Sequence, residues 1–466
     1  MTFLLILYIY FVSFTDKPEK TAPQLSERAW EQRQKWGIET DQMDYPVSPL
    51  YMDSLRSLGA KIHHYSRWFN GATCEMSKEL AEKVADLGFV ADVEMTRDNS
   101  SPIYWYAPWR TQKRAEDMPI SINYTTDQLK LYNLLSLHQK GYKGKGILMT
   151  VCDGGFYNAQ KMSCFRQEQE LGHFDFTDDS DGFYGSTGAH GTECLSTISG
   201  IMEGYTGAAT EAEYYLMRSE ENDTESPKEM DNLVAALEKA DSLGVNVFSV
   251  SLGYFYFDNS SWNLPKSALD GRTTRASQAA TIAARKGMLV CAAAGNEGDS
   301  EWHTIDAPSD ADSILTVGAV DTKGHIVSFS SYGPSADGRV KPDVCAVGSQ
   351  AVVISPYGYI IYNSGTSFAT PLMAGLAAAL WSALPDENAM QIRERILRSS
   401  DRYANPDPKR YGYGIPDAWK AYTMDLSEDI ESVQPSDGRV QKVIRGDQIL
   451  IIRHGHIYNL AGQRVE

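Results

Sequence analysis

Three side chains in this sequence could together activate a hydroxyl group for attack on a carbonyl carbon. Asp153, His190 and Ser367 occur in that order, each in a short segment that contains glycine. A serine hydroxyl is a weak nucleophile until a base removes its proton, and that base is commonly a histidine oriented by a carboxylate. Asn296, whose amide could stabilise the resulting oxyanion, lies between the histidine and the serine. The residue types therefore favour acyl transfer.

Each of these segments also has a purely structural interpretation. Asp-Gly-Gly after an apolar run is usually a turn, and His-Gly-Thr also suits a helix N-terminus. Gly-Asn-Glu-Gly alone indicates a loop, and a Gly-Thr-Ser corner before an alanine-rich run suits a closely packed helix. The prediction of chemistry therefore depends on the four segments together.

From about residue 126, the sequence alternates between strand-like and helical patterns, and these elements must position the candidate residues. The strand-like runs are GILMTVCD, EYYLMR, VNVFSVSLG, GMLVCAAAG and ILTVGAV, with helical runs between them. This alternation predicts an α/β fold with a parallel sheet and helices on both faces. Such sheets bind ligands at the carboxyl ends of their strands. Asp153 and Asn296 each follow a strand-like run, and so does the segment Ser251-Leu252-Gly253.

Two smaller parts flank the predicted sheet. Residues 47–96 carry helical and strand patterns in the order αββαβ, with Asn70-Gly71 as a hairpin signal, which predicts a small α+β domain. Near the C-terminus, short strand-like runs are broken by Gly-Asp, His-Gly and Ala-Gly, which predicts a short β appendage. The expected boundaries are 1–16 for the apolar N-terminal segment, 17–125 for the α+β domain with its linker, 126–425 for the domain with the parallel sheet, and 426–466 for the β appendage.

The first residues, MTFLLILYIYFVSF, are almost wholly apolar. The run suits a signal-peptide core and is too short to span a bilayer comfortably, although a basic start and a clear cleavage site are missing. We expect residues 1–16 to be a signal peptide or an anchor. The protein is then secreted or held at the cell surface of a bacterium, with the periplasm as the alternative.

Composition restricts the partners and cofactors. The formal net charge of −18 argues against binding of nucleic acid, which requires a basic surface. Six cysteines without a CxxC pair argue against a zinc site and predict mostly buried, reduced thiols. We expect no cofactor in catalysis. Structural calcium is conceivable at the acidic stretch DFTDDSDG, residues 175–182, which equally suits a solvated loop.

The four candidate segments resemble the signature blocks of the subtilisin-like serine proteases. The chain reads D153-G-G, H190-G-T, A-A-G-N296 and G-T-S367-F-A-T-P, and similar supporting segments extend the resemblance over residues 128–422. It departs from the family pattern at Gly154, Phe368 and Val347, and none of these departures removes a catalytic group.

The resemblance implies a role for each candidate residue. Ser367 would be the nucleophile, His190 the general base and then acid, and Asp153 the group that orients the histidine. Asn296 and the Ser367 backbone amide would stabilise the oxyanion. An extended substrate would pair with one strand edge, and one substrate side chain would enter the first specificity pocket. If Glu297 lines this pocket, it would favour basic substrate residues. The residues implied in substrate binding are Ser251, Leu252, Gly253, Ala292, Ala293, Ala294 and Gly295.

The flanking parts also resemble known segments. The α+β unit is similar to the inhibitory propeptides of this family, which implies a zymogen, with a permanent accessory domain as the alternative. Cutting would occur in the linker 97–125, which contains Arg110, Lys113 and Arg114. The tail containing IYNLAGQRV is similar to C-terminal segments of bacterial proteins exported by type IX secretion, with a plain β appendage as the alternative.

The resemblance implies an endopeptidase that acts on polypeptides through an acyl-enzyme. Two alternatives stay open at the level of sequence: a subtilisin-like peptide ligase or macrocyclase, and an inactive binding module.

Overall fold

The computed structural model describes residues 7–19, 21–98, 113–114, 123–177, 182–426, 441–445, 448–453 and 456–459. By its contacts, the chain divides into two compact units, residues 1–422 and residues 423–466. Most of the expected linker 97–125, with Arg110, and part of the acidic stretch 175–182 lie outside the described residues.

The first unit begins with a small α+β domain. Its sheet is antiparallel, with strand order β2-β3-β1-β4. The αββαβ prediction for residues 47–96 is confirmed: Asn70 takes a left-handed conformation (φ 47°) at the hairpin turn, and the Ser77 hydroxyl caps the next helix by accepting from Leu80 N. The elements are β1 (Tyr8–Phe14), α1 (Glu27–Trp36), α2 (Pro49–Ser57), β2 (Lys61–Ser66), β3 (Gly71–Met76), α3 (Lys78–Ala85) and β4 (Val90–Arg97).

The expectation of a signal peptide or anchor over residues 1–16 needs correction, because residues 8–14 form the inner strand β1. This strand pairs with β3 on one side and β4 on the other, and the side chain of Val12 is fully buried. Burial within the domain accounts for the apolar sequence, and the domain begins before residue 17. None of the helices that the structure describes has the length and hydropathy needed to span a membrane.

The larger part of the first unit is built on a seven-stranded sheet with strand order β14-β13-β12-β11-β6-β10-β7. All its neighbouring strands are parallel, as predicted. Its elements, with those that flank it, are β5 (Lys113–Arg114), α4 (Thr126–Lys130), α5 (Leu134–Gln139), β6 (Leu148–Asp153), β7 (Glu170–Asp175), α6 (Ala189–Ser199), β8 (Ile201–Met202), β9 (Tyr205–Thr206), β10 (Glu213–Arg218), α7 (Lys228–Leu243), β11 (Val247–Val250), α8 (Arg275–Arg285), β12 (Leu289–Ala293), β13 (Leu315–Val320), β14 (Val344–Val347), β15 (Ala351–Ile354), β16 (Ile360–Asn363), α9 (Thr366–Ala383), α10 (Ala389–Ser399) and α11 (Ala418–Thr423).

Helix α9 lies in the main hydrophobic core, and nearly all of its residues are buried. Gly375 is needed there because an ideal Cβ at this position would lie 2.6 Å from Ala208 Cβ. The small residues after Ser367 therefore allow the close approach that their sequence indicates.

Residues 423–466 form a second unit. Its described strands, β17 (Gln441–Arg445), β18 (Gln448–Arg453) and β19 (His456–Asn459), make an antiparallel sheet in chain order. The predicted β appendage is confirmed for these residues. The Ala-Gly signal at 461–462 lies outside the described part of the chain.

A buried carboxylate on α7 joins the N-terminal domain to the larger sheet. Glu238 Oε2 accepts from Arg67 N at 2.9 Å, and its Oε1 accepts from Trp68 N at 3.1 Å. The Ser66 hydroxyl donates to the same carboxylate. Trp68 is 5% exposed and belongs to the core that includes α7 and α8. The end of β2 is thus fixed on α7 by hydrogen bonds to one charged side chain.

Replacing Glu238 with Ala should loosen this junction, because two backbone amides would be left buried without acceptors. We expect amide hydrogen exchange in residues 61–76 of the uncleaved chain to become about 30-fold faster, corresponding to about 2 kcal/mol. Glu203→Ala, at an exposed position between β8 and β9, is the control and should leave this exchange unchanged. Equal exchange in wild type and Glu238→Ala would contradict the role of Glu238.

Candidate active site

Asp153 and His190 meet at the carboxyl edge of the parallel sheet. Asp153 is the last residue of β6 and is 1% exposed. Its Oδ1 and Oδ2 lie 2.8 and 3.0 Å from His190 Nδ1. The helix that carries His190 can approach because the next residue is glycine: an ideal Cβ at Gly191 would lie 2.2 Å from Gly155 O. His-Gly-Thr and Asp-Gly-Gly therefore form one packed junction.

The pKa of His190 is raised well above its ordinary value. Burial lowers this pKa, because it disfavours the charged ring, but attraction to the Asp153 carboxylate and the hydrogen bond to it outweigh burial. The carboxylate thus stabilises an imidazolium, which is the form that a general base takes after accepting a proton.

Ser367 lies in the first turn of α9 and is 5% exposed. Within a regular helix, its carbonyl would accept from the backbone N–H of residue 371, but residue 371 is proline and has none. The carbonyl instead accepts from Ser251 Oγ at 2.8 Å and from Cys194 Sγ at 3.3 Å. Pro371 lies in the second turn of α9. Its effect is to free the carbonyl that anchors Ser367 to α6 and to the end of β11.

Ser367 and His190 are brought close by their neighbours. The ring of Phe368 lies 5.6 Å from the His190 ring, measured between centroids, and Cys194 Sγ lies 3.8 Å from His190 Nε2. The structure records no hydrogen bond from the Ser367 hydroxyl to the described residues. In unliganded enzymes such bonds are often long and tighten only with substrate.

Asn296 is fixed against the corner that precedes Ser367. Its Oδ1 accepts from Thr366 N at 2.8 Å and from Thr366 Oγ1 at 3.1 Å. Its own N–H donates to Glu297 Oε2 at 2.6 Å. The carbonyl end of the amide is therefore occupied, while Nδ2 forms no hydrogen bond to the described residues and can donate to a ligand.

The residues implied in substrate binding follow the neighbouring strands β11 and β12, which pair in parallel from Val247 and Leu289. Ser251 and the alanines are buried, and Leu252 is half-buried against the core. Gly253 and Gly295 both lie close to the Asp306 carboxyl group. The alanines that fall in this buried segment are Ala292, Ala293 and Ala294.

Sequence analysis missed two residues of this region. Cys194 could have been noticed because it follows His190 by one helical turn and so shares its face of α6. Asp306 had no comparable signal, since its place beside Gly253 and Gly295 depends on tertiary structure. All six cysteines are buried and free, as predicted.

Two described groups have the ligand spacing of a metal site. One consists of Asp153, His190 and Cys194, but burial raises the pKa of the Cys194 thiol to about 11, so the sulfur stays protonated. The other consists of three glutamates after β10, namely Glu220, Glu225 and Glu229. Burial raises the pKa of each of them, and repulsion from neighbouring glutamates raises those of Glu220 and Glu229 further. Burial and repulsion from Asp258 raise the pKa of Glu225 to about 7.

Comparison with known proteins identifies both parts of the first unit. A model described as the subtilase family matches residues 144–414. A second model, described as the peptidase S8 propeptide domain of Bacteroidota, matches residues 9–116, which confirms the propeptide interpretation and again includes strand β1.

Individual proteins agree with these matches. Subtilisin NAT of Bacillus subtilis subsp. natto is 27% identical over 367 residues, which cover 78% of this chain and 83% of that protein. Serine protease AprX of Bacillus subtilis is 28% identical over 310 residues, covering 59% of this chain and 66% of that protein. The crystal structure of MycP1 from Mycobacterium smegmatis covers 73% of this chain and 95% of its own, with a TM-score of 0.55 and 20% identity, and so supports the fold.

The parallel sheet, the propeptide domain and the matched family model lead to one assignment. The chain belongs to the subtilase family of serine endopeptidases, with a propeptide domain ahead of its catalytic domain.

Proposed function

We propose that this protein is an exported endopeptidase that hydrolyses peptide bonds of protein substrates with the triad Asp153, His190 and Ser367. The observation that carries the proposal is the pair of hydrogen-bond distances between Asp153 and His190, next to the corner that holds Ser367. The Asn296 side chain, with Nδ2 available, supports its role as oxyanion donor.

The proposed reaction has two halves. His190 Nε2 takes the Ser367 hydroxyl proton while Oγ attacks the substrate carbonyl, and Asp153 stabilises the imidazolium. The oxyanion accepts from Asn296 Nδ2 and from the Ser367 backbone amide, where the N-terminus of α9 adds a favourable dipole. The imidazolium then protonates the leaving amine, and the amine departs while the acyl group stays bound to Ser367 as the acyl-enzyme. Water, deprotonated by His190, releases the acid product.

The propeptide domain is proposed to inhibit the enzyme within the same chain before cleavage. Strand β5 supports this role, because it pairs antiparallel with β16: Lys113 lies opposite Tyr362 and Arg114 opposite Ile361. Since β16 leads directly to the corner of Ser367, we propose that Lys113 and Arg114 lie beside the cleft. We propose self-cleavage within 97–125, where Arg110, Lys113 and Arg114 occur.

Export and calcium binding stay predictions. The propeptide match supports export, as in related proteases with such domains, and the C-terminal strands are proposed to act as a sorting signal for secretion machinery. Structural calcium would be detected by metal analysis of the purified protein. Catalysis is proposed to need no cofactor.

A peptide ligase is the competing activity, in which an amine replaces water at the acyl-enzyme. The mass of the products formed from a model peptide separates the two reactions. After hydrolysis, the masses of the fragments sum to that of the intact peptide plus one water. After cyclisation, the cyclic product and the released amine together have the mass of the intact peptide, so the cyclic product is lighter by one water than the hydrolysed acyl fragment. We expect hydrolysis, because the described residues 182–426 contain no long insertion near Ser367 that would shield the acyl-enzyme.

A fluorophosphonate probe should label the purified wild-type protein after self-cleavage and should not label Ser367→Ala, because the probe reacts only with an activated serine hydroxyl. Ser364→Ala is the matched control: its hydroxyl lies in the same corner but accepts from Gln350 N at 2.9 Å. This variant should label like wild type. Absence of labelling in wild type with residues 1 to about 120 removed would overturn the enzyme proposal.

Asn296→Ala should lower kcat by a factor of about 100 to 1,000 with KM little changed, because the amide acts mainly in the transition state. Steady-state kinetics on a peptide substrate measures both constants. A rise in KM with kcat unchanged would instead assign Asn296 to substrate binding.

The rate should depend on pH through His190, which must be neutral to accept a proton. Because the pKa of His190 is raised, kcat/KM should increase with pH through a midpoint above about 6.5, the ordinary pKa of histidine. Asp153→Asn removes the attraction that raises this pKa and leaves burial, which lowers it. The midpoint should therefore move to lower pH, while kcat falls about 10⁴-fold. An unchanged midpoint would show that Asp153 does not control the titration.

A further inference from the structure

Two carboxylates lie where the substrate side chain is expected to enter. An ideal Cβ on Gly295 would lie 2.2 Å from Asp306 Oδ2 and 2.7 Å from Glu297 Oε2. An ideal Cβ on Gly253 would lie 3.0 Å from the same Asp306 oxygen. The Asp306 carboxyl group therefore lies close to the segments that continue β11 and β12. It fits there because both segments have glycine, whose missing Cβ would otherwise overlap it.

The position of Asp306 is fixed by its surroundings. Its Oδ1 accepts from Trp302 Nε1 at 2.9 Å, and the Trp302 ring stacks on Phe255 with centroids 4.6 Å apart. The next residue, Ala307, forms two backbone hydrogen bonds with Tyr254, which directly follows Gly253. The carboxyl group is thus held rigidly, as a residue that determines specificity must be.

The two carboxylates have no cationic partner within the described residues: neither Asp306 nor Glu297 forms an ion pair with lysine or arginine there. Glu297 Oε2 accepts from Asn296 N at 2.6 Å and from Ser331 Oγ at 3.1 Å, and the Glu297 side chain also forms a hydrogen bond with the Asp306 carboxyl group. Burial raises the pKa of Asp306 well above its ordinary value, and the facing Glu297 raises it further. The buried Asp306 carboxyl group and the half-buried Glu297 carboxylate therefore form an acidic pair that an added cation would stabilise.

We propose that Asp306 and Glu297 form the floor of the first specificity pocket and select substrates with arginine or lysine on the acyl side of the cleaved bond. This inference rests on the proposed endopeptidase function and names its substrate class. A guanidinium or ammonium group forms charge-assisted hydrogen bonds with the pair. An aliphatic side chain leaves the acidic pair without a cationic partner, and an acidic side chain is repelled.

The alternative is that the pair is structural and supports only the loop between Asn296 and Asp306. If the pair is structural, replacing either carboxyl group should change kcat/KM for all substrates by the same factor. The ratio of rates for two substrates therefore separates the alternatives, and this ratio does not depend on how much of a variant is folded.

The test uses the self-cleaved enzyme and peptides that differ only at the acyl-side residue: arginine, lysine, leucine, phenylalanine or glutamate. Wild type should show kcat/KM at least about 10-fold higher for arginine or lysine than for leucine. Asp306→Asn, which keeps an acceptor for Trp302, should lower kcat/KM for arginine about 100-fold and for leucine less than about threefold. Glu297→Gln should also lower the ratio of kcat/KM for arginine to kcat/KM for leucine.

Asp299→Asn is the control, because Asp299 is an exposed carboxylate in the same loop, and it should leave the ratio unchanged. An enzyme that prefers leucine, or an Asp306→Asn variant that slows all peptides equally, would overturn the inference and leave the endopeptidase function intact. Failure of the function itself is recognised separately, by the absence of fluorophosphonate labelling in wild type.

Discussion

The arrangement of the site depends on a backbone carbonyl that has lost its helical partner. Pro371 has no N–H, so the Ser367 carbonyl accepts from Ser251 Oγ and Cys194 Sγ. These two bonds tie the start of α9 to the end of β11 and to the helix that carries His190. A proline inside a helix ordinarily lowers its stability. Here it frees the carbonyl group whose hydrogen bonds fix the position of the proposed nucleophile.

Close packing of small residues also helps to fix the position of Ser367 and His190. Gly191 allows the His190 helix to approach the loop after Asp153, and Gly375 allows α9 to approach Ala208. At each of these positions a Cβ would come closer to a neighbouring atom than van der Waals contact permits. The glycines and alanines near the catalytic segments therefore determine distances between elements, and the polar groups only then meet with hydrogen-bond geometry.

Much of this could be predicted from the sequence. The strand-like runs before Asp153 and Asn296 are long and apolar because their strands are buried on both faces. Strand β7 was missed because it is an edge strand whose exposure alternates. Strand β14 was also missed, although β11 has the same length of four residues and was predicted. Strand β1 was misread because an apolar strand in the middle of a small sheet has the composition of a signal-peptide core. Asp306 could not be predicted, since its role depends on a contact between loops far apart in the chain.

The central claim is that the corner held by Ser251 and Cys194 directs Ser367 Oγ at a carbonyl carbon whose oxygen faces Asn296. A crystal structure of the self-cleaved enzyme with a peptide boronic acid tests this claim most directly. The account predicts a covalent bond between Ser367 Oγ and boron, with one boronate oxygen within hydrogen-bond distance of Asn296 Nδ2. An unmodified Ser367, or a boronate oxygen that faces away from Asn296, would contradict it.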